Sequence, residues 1–216
     1  DVQAHDIVWR NGAWSFQLWT PQAALACRLN IAGRHNILNA LAATACALAA
    51  GMSLPDIVKG LESFEPVKGR SKSCEWQIDG HAFTLVDDTY NANPDSVRAA
   101  IDVLAQVPAP RIMVLGDMGE VGDEGPQFHE EIGAYARTRG INHLLTLGNL
   151  AEYAATAFGA GARHQKDIGS MHLAVDAMLT PEATVLVKGS RFMKMERVVQ
   201  HLQQQPTTEA QTQESH

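Results

Sequence analysis

Polar and apolar residues alternate on both sides of a short turn near the start of the chain: Ile7-Val8-Trp9-Arg10, then Asn11-Gly12, then Trp14-Ser15-Phe16-Gln17-Leu18-Trp19. A period of two flanking Asn-Gly predicts a β-hairpin, and residues 7 to 31 read as short strands. The period then lengthens. From Asn36 to Ala50 the apolar positions Leu38, Leu41, Ala42, Ala45, Leu48 and Ala49 recur at helical spacing, which predicts a helix with these residues on its core face, closed by Gly51. A second short helix is expected from Pro55 to Leu61. The run Glu65-Pro66-Val67-Lys68-Gly69-Arg70-Ser71 breaks the pattern, so a domain boundary is expected near residue 69.

Past that break the expected order is strand 73–79, a turn at Asp79-Gly80, strand 82–87, helix 94–105, strand 111–116, helix 126–138, strand 142–147, helix 150–158, helix 170–179, strand 184–188 and helix 192–203. Strands alternating with helices predict an α/β fold with a mainly parallel, doubly wound sheet and flanking helices. Residues 204–216 are rich in Gln, Thr and Glu and are expected to be disordered.

Composition narrows the classes. The chain has 216 residues, 45% hydrophobic and 19% charged, as in ordinary globular proteins, and no apolar run approaches the length of a membrane span. Membrane insertion is therefore not expected. A net charge of −7 without a block of Lys and Arg argues against a general nucleic-acid grip. Cys27, Cys46 and Cys74 are odd in number and widely spaced, which favours free thiols and a cytoplasmic location. The N-terminal residues Asp1 to Asp6 include neither an initiator Met nor the regions of a signal peptide, so a piece of a longer chain is expected.

The densest chemistry lies in Asp87-Asp88-Thr89-Tyr90-Asn91-Ala92-Asn93-Pro94, between an apolar strand and a helix that Asn93 and Pro94 would cap and open. Polar side chains and free N–H groups at such a turn sit where α/β proteins hold ligands. A capped turn with solvated acids would account for Asn93 and Pro94, but poorly for the octet as a whole. In Gly33-Arg34-His35-Asn36-Ile37-Leu38-Asn39, the spacing lets His35, Asn36 and Asn39 share one helix face, either to meet an adenine edge or as a cap with a solvated imidazole. Arg70, at the expected boundary, is a surface residue or a cation reaching a phosphate or ribose across a cleft. Val187-Lys188-Gly189-Ser190-Arg191 brings two cations and a nest of backbone N–H groups to a strand end, either to hold a carboxylate or acyl phosphate or simply to cap a helix. Gly116-Asp117-Met118-Gly119-Glu120-Val121-Gly122 is not a dinucleotide fingerprint, because its glycines are out of order. The sequence contains no P-loop motif, no zinc-ligand spacing and no nucleophile elbow, and no metal site is expected.

Four of these motifs, in order, resemble segments of the Mur ligase family, and the likeness runs over roughly residues 7 to 203. The resemblance implies that residues 1–69 are the end of the central ATP-binding domain without its P-loop, and 70–203 the Rossmann-like C-terminal domain. It implies an ATP-dependent, Mg2+-requiring, monomeric ligase of peptidoglycan precursor synthesis that joins D-Ala-D-Ala to UDP-N-acetylmuramoyl-tripeptide through an acyl phosphate. The magnesium ligands would lie with the P-loop. By the same matching, His35, Asn36, Asn39, Arg70 and Asp88 would meet nucleotide; Asn91, Asn93, Asp117 and Arg191 would face substrate; and Lys188 and Ser190 would be catalytic. His129 accompanies the Gly-Asp-Met element without an assigned role. A related amino acid ligase and a non-catalytic binding module with the same fold are the alternatives.

Overall fold

A computed structural model describes residues 1–10, 12–65, 69, 72–78 and 81–204. Strands β1 (Gln3–Arg10), β2 (Ala13–Trp19) and β3 (Ala24–Leu29) form an antiparallel sheet in the order β1-β2-β3. The alternation in β2 works as expected: Trp14, Phe16 and Leu18 are buried, while Ser15 and Trp19 are exposed. The hairpin pairs Arg10 with Ala13, although Asn11 itself lies outside the described residues.

The buried face of this sheet packs on helices α1 (His35–Ala49) and α2 (Leu54–Glu62) through Ile37, Ala40, Leu54 and Val58. Here one expectation is corrected. Leu38 is 67% exposed and Ala42, Ala45 and Ala49 are exposed too, whereas Ile37, Ala40 and Thr44 are buried. The helix is apolar around most of its circumference, so two overlapping stripes fit helical spacing, and the sheet covers the one led by Ile37.

The second sheet has the order β4-β5-β9-β6-β7-β8, formed by β4 (Lys72–Ile78), β5 (His81–Asp88), β6 (Arg111–Gly116), β7 (His143–Leu147), β8 (Ala162–Gln165) and β9 (Thr184–Lys188). β4 is antiparallel to β5, and the remaining pairs are parallel. Side chains alternate between its two faces. Val86, Met113, Leu115, Leu144 and Leu186 pack beneath α3 (Pro94–Ala105), α4 (Gly125–Thr138) and α5 (Ala151–Phe158), while Leu85, Ile112, Val114, Val185 and Val187 pack beneath α6 (Ile168–Asp176) and α7 (Glu196–Gln204). A strand buried on both faces reads as an unbroken apolar run, as β9 does.

Two elements differ from expectation. β8 is an edge strand of sequence Ala-Arg-His-Gln with no apolar run to announce it. The helix expected over 192–203 begins instead as a 3-10 turn, Arg191–Met193, ends at Lys194 in a left-handed conformation (φ 51°), and resumes as α7. The turn at Asp79-Gly80 and the tail beyond residue 204 lie outside the described residues.

Gly133 lets α4 and α5 approach backbone to backbone, since a Cβ there would lie 2.1 Å from the Ala154 carbonyl oxygen. The first sheet meets the second through Ala32, which shares a core with Ala92 and Val97, and through the Ser73 hydroxyl, which donates to the Gly12 carbonyl.

Candidate functional site at the carboxyl edge of the sheet

The chains leaving β5 and β6 turn to the α3–α5 face, while the chain leaving β9, between them, leads to α7 on the other. Connections that diverge in this way open a crevice at the strand ends, where ligands of α/β proteins bind. Parallel pairing sets Asp88 of β5 opposite Lys188 of β9, and Lys188 opposite Leu115 of β6.

Each strand end is locked by its own side chains. The buried Asp87 Oδ1 accepts from the Thr89 N–H (3.2 Å) and hydroxyl (2.7 Å), which turns the chain out of β5. Asn93 caps α3, accepting from the Ser96 N–H at 2.8 Å while Ser96 Oγ accepts from the Asn93 N–H at 3.0 Å. This reciprocal capping box holds the octet against the first turn of the helix. Between the two, Lys188 Nζ donates to Asp88 Oδ2 at 2.7 Å and to the Asn91 carbonyl at 2.8 Å. The lysine side chain is 4% exposed and the aspartate 16%. An ammonium has three hydrogens, and these two bonds use two of them. A cleft of about 360 Å³ opens beside this pair, lined by Gly69, Asp88, Tyr90, Asn91, Asn93 and Lys188 among others.

The Gly-Asp-Met element forms the next wall. The Asp117 carbonyl accepts from both the N–H (2.9 Å) and the hydroxyl (2.6 Å) of Ser190. Asp117 Oδ1 accepts from the Leu150 and Ala151 N–H groups at 3.0 and 2.7 Å, capping α5. Gly148, at φ +116°, makes room for that carboxylate, since a Cβ would lie 2.4 Å from it. Two expectations change as a result. The Ser190 N–H is committed to Asp117 and is not part of an open anion nest, and the Ser190 hydroxyl proton is committed to the same carbonyl. Arg191 is a surface cation, 69% exposed and 3.6 Å from Glu196.

On α1, Asn36 and Asn39 do share a face: Asn39 Nδ2 donates to Asn36 Oδ1 at 3.1 Å, and Asn36 Nδ2 donates to the Ala32 carbonyl at 2.7 Å. Asn36 is thus not the helix cap, a position that Arg34 occupies without a side-chain bond. His35 opens the helix, and Arg70 lies outside the described residues. The strand-end residues Asp88, Asn91, Asn93 and Lys188 therefore line one cleft. Asp117 and Ser190 brace its edge, and the Asn36–Asn39 pair stands apart on α1. Tyr90, Ser96 and Gly69 also line the cleft, without a role expected from the sequence. Tyr90 is 48% exposed at the cleft, and its N–H donates to the Gly69 carbonyl at 3.0 Å. Ser96 carried a readable signal, its spacing of three from Asn93.

Residues 74–191 match the family model described as Mur ligase, glutamate ligase domain. The UDP-N-acetylmuramoyl-tripeptide--D-alanyl-D-alanine ligase of Escherichia coli (strain K12) is 37% identical over 212 residues, which cover 96% of this chain and 45% of the relative. The enzyme of the same name from Bacillus subtilis (strain 168) is 32% identical over 82% of this chain and 39% of its own length. Among solved structures, a crystal structure of MurF from Acinetobacter baumannii superposes with a TM-score of 0.72 at 38% identity, covering 94% of this chain and 44% of that one. MurF ligase from Thermotoga maritima in complex with ADP, at 22% identity and TM-score 0.73, shares the fold. The chain spans under half the length of these relatives, and over that span the strand order, the strand-end motifs and the family match agree: it belongs to the Mur ligase family.

Proposed function

We propose that this chain is the C-terminal part of an ATP-dependent ligase that joins D-Ala-D-Ala to UDP-N-acetylmuramoyl-tripeptide. The observation that carries the reading is the octet Asp87 to Pro94, folded at the strand ends with Lys188 set between Asp88 and Asn91. Relatives bearing that enzyme's name at 37% identity support it. In this reading residues 1–69 complete the ATP-binding domain, 70–203 form the C-terminal domain, and the protein works as a cytoplasmic monomer.

Forming an amide from a carboxylate requires its activation as an acyl phosphate, attack by the amine and departure of phosphate. Negative charge gathers on oxygens throughout, so fixed cations and N–H donors stabilise the reaction. His35, Asn36, Asn39, Arg70 and Asp88 hold the adenosine of ATP, the Asn36–Asn39 pair offering amide groups of both senses. The remaining hydrogen of Lys188 faces the anionic end of a ligand in the cleft, with Asn91 and Asn93 beside it. Asp117 and Ser190 act by holding the loops, and Arg191 supplies long-range positive charge. The magnesium that phosphoryl transfer requires is expected with the P-loop, and no step through it is assigned to the residues of this chain.

Two arms test the proposal. The 216-residue chain, whose sequence has no P-loop, releases no phosphate above the blank when given ATP, magnesium, tripeptide precursor and D-Ala-D-Ala. The longer protein carrying this chain, offered a panel of amines, yields the D-Ala-D-Ala adduct by mass. An adduct with a single amino acid in its place makes the protein a different Mur-type ligase, and sustained phosphate release that copurifies with the 216-residue chain contradicts the division of labour.

A further inference from the structure

His129 lies on α4, is fully buried, and is not among the residues that line the cleft. Its ring is nonetheless fully engaged. Nδ1 lies 2.7 Å from the Gly125 carbonyl, which can only accept, so Nδ1 carries the proton; Nε2, left as an acceptor in the neutral ring, takes the Met118 N–H at 3.0 Å. Burial pushes the imidazole below the ordinary histidine value, in keeping with that neutral form.

Met118 is the middle of three successive residues, each tied to a different element. Before it, the Asp117 carbonyl holds the N–H and hydroxyl of Ser190 in the loop after β9, and its carboxylate caps α5. After it, the Gly119 N–H donates to the Ala92 carbonyl at 2.8 Å, inside the octet after β5. The segment 117–119 thus bridges the loop that carries Asn91 and Asn93 and the loop after β9 that follows Lys188 and carries Ser190. The Met118 N–H, buried between those ties, is satisfied by His129.

We propose that His129 is a positioning residue of this site: a neutral imidazole that clamps the Met118 amide and so holds the β5 and β9 loops at the spacing the cleft requires. The inference rests on the cleft being the ligand site proposed above, but the clamp can be tested without ligase activity. Removing the acceptor leaves a buried N–H without a partner, which the segment relieves by moving toward water.

The test is NMR on the 216-residue chain with uniform 15N labelling. Long-range imidazole correlations at neutral pH are expected to show His129 as the Nδ1–H tautomer. In His129→Leu, the Met118, Gly119 and Ser190 amides exchange with solvent at least tenfold faster than in the parent, while β7 amides are unchanged. In His129→Gln, whose side-chain oxygen can still accept from Met118, exchange returns to within a few-fold of the parent. The same pair of substitutions in the longer ligase separates a clamp from a general packing role: Leu lowers kcat or weakens the amine substrate, and Gln restores it. An Nε2–H tautomer, or Ser190 and Gly119 protection untouched by the Leu substitution, overturns the proposal even if the ligase reading stands. Should His129→Leu fail to fold, the tautomer and the His129→Gln exchange rates still decide it.

Discussion

Replacing Lys188 by Met keeps most of the side-chain volume and removes the ammonium that Asp88 and the Asn91 carbonyl share. Breaking a buried ion pair by deleting one member costs about 3–5 kcal/mol when the other is fully buried. Here Asp88 retains 16% exposure, so water offsets part of the loss and about 2–4 kcal/mol is expected. For a chain of this size each kcal/mol moves the melting temperature by roughly 2–4 °C, giving a drop of about 4–16 °C. Hydrogen exchange localises the effect: β5 and β9 amides, which pair directly beneath the lysine, lose protection before those of β7 and β8. Because the pair is a contact, Asp88→Asn and the double substitution complete a cycle whose coupling energy should reach about 1–3 kcal/mol. A Lys188→Met chain within about 0.5 kcal/mol of the parent, or single effects that simply add, would refute the view that this ion pair fastens the strand ends.

Gly133→Ala places a methyl 2.1 Å from the Ala154 carbonyl, so α4 and α5 must part; a loss at or above the upper end of about 1–3 kcal/mol is expected in urea melts, and an unchanged midpoint contradicts the packing described. Asn93→Ala removes the capping box of α3 and should cost about 1 kcal/mol, with added exchange confined to the first turn of that helix. Burial lowers the pKa of both His129 and His172, and in His172 the ring of His201, stacked at 4.1 Å, lowers it further. The folded chain then binds fewer protons than the unfolded one, so this stabilisation is complete above about pH 6.5 and declines as pH falls through that value toward the folded one. Urea midpoints taken from pH 8 to pH 5 should fall, and fall less steeply in His172→Gln; a profile that rises toward acid pH has the wrong sign.

Much of the second sheet was readable along the chain, because its signals are local. The capping residues at Asn93 and Pro94 mark the start of α3, and the runs Arg111–Gly116 and Thr184–Lys188 are apolar stretches between turn residues, so all three elements fall at their expected bounds. β8 carries no such run: at the edge of the sheet, its four residues are exposed or half-buried. The core face of α1 differs from the sequence expectation because an Ala- and Leu-rich helix offers more than one stripe, and only the sheet above it decides which is covered. At the site, the octet announced its chemistry but not its wiring. Lys188 lies 100 residues from Asp88, and the Asp117 carboxylate reaches amides more than 30 residues on, pairings set by strand order. The bonds of the Asp117 carboxylate and the Ser190 hydroxyl to neighbouring loops are hidden in the sequence for the same reason, since a polar side chain at a strand end looks alike whether it points to a ligand or to a loop.

In the proposed function the Asn36–Asn39 face of α1 and the strand-end cleft at Asp88 serve one adenine nucleotide. Titrating ADP into the 15N-labelled 216-residue chain tests it directly. Without a P-loop only a few hydrogen bonds offset the entropy of association, so binding around millimolar is expected. The amides of Asn36, Asn39, Asp88 and Tyr90 are expected to shift together with one saturation curve, and Asn39→Ala to weaken that curve several-fold without moving the other resonances. Shifts confined to one of the two regions, or centred elsewhere on the molecule, would contradict it.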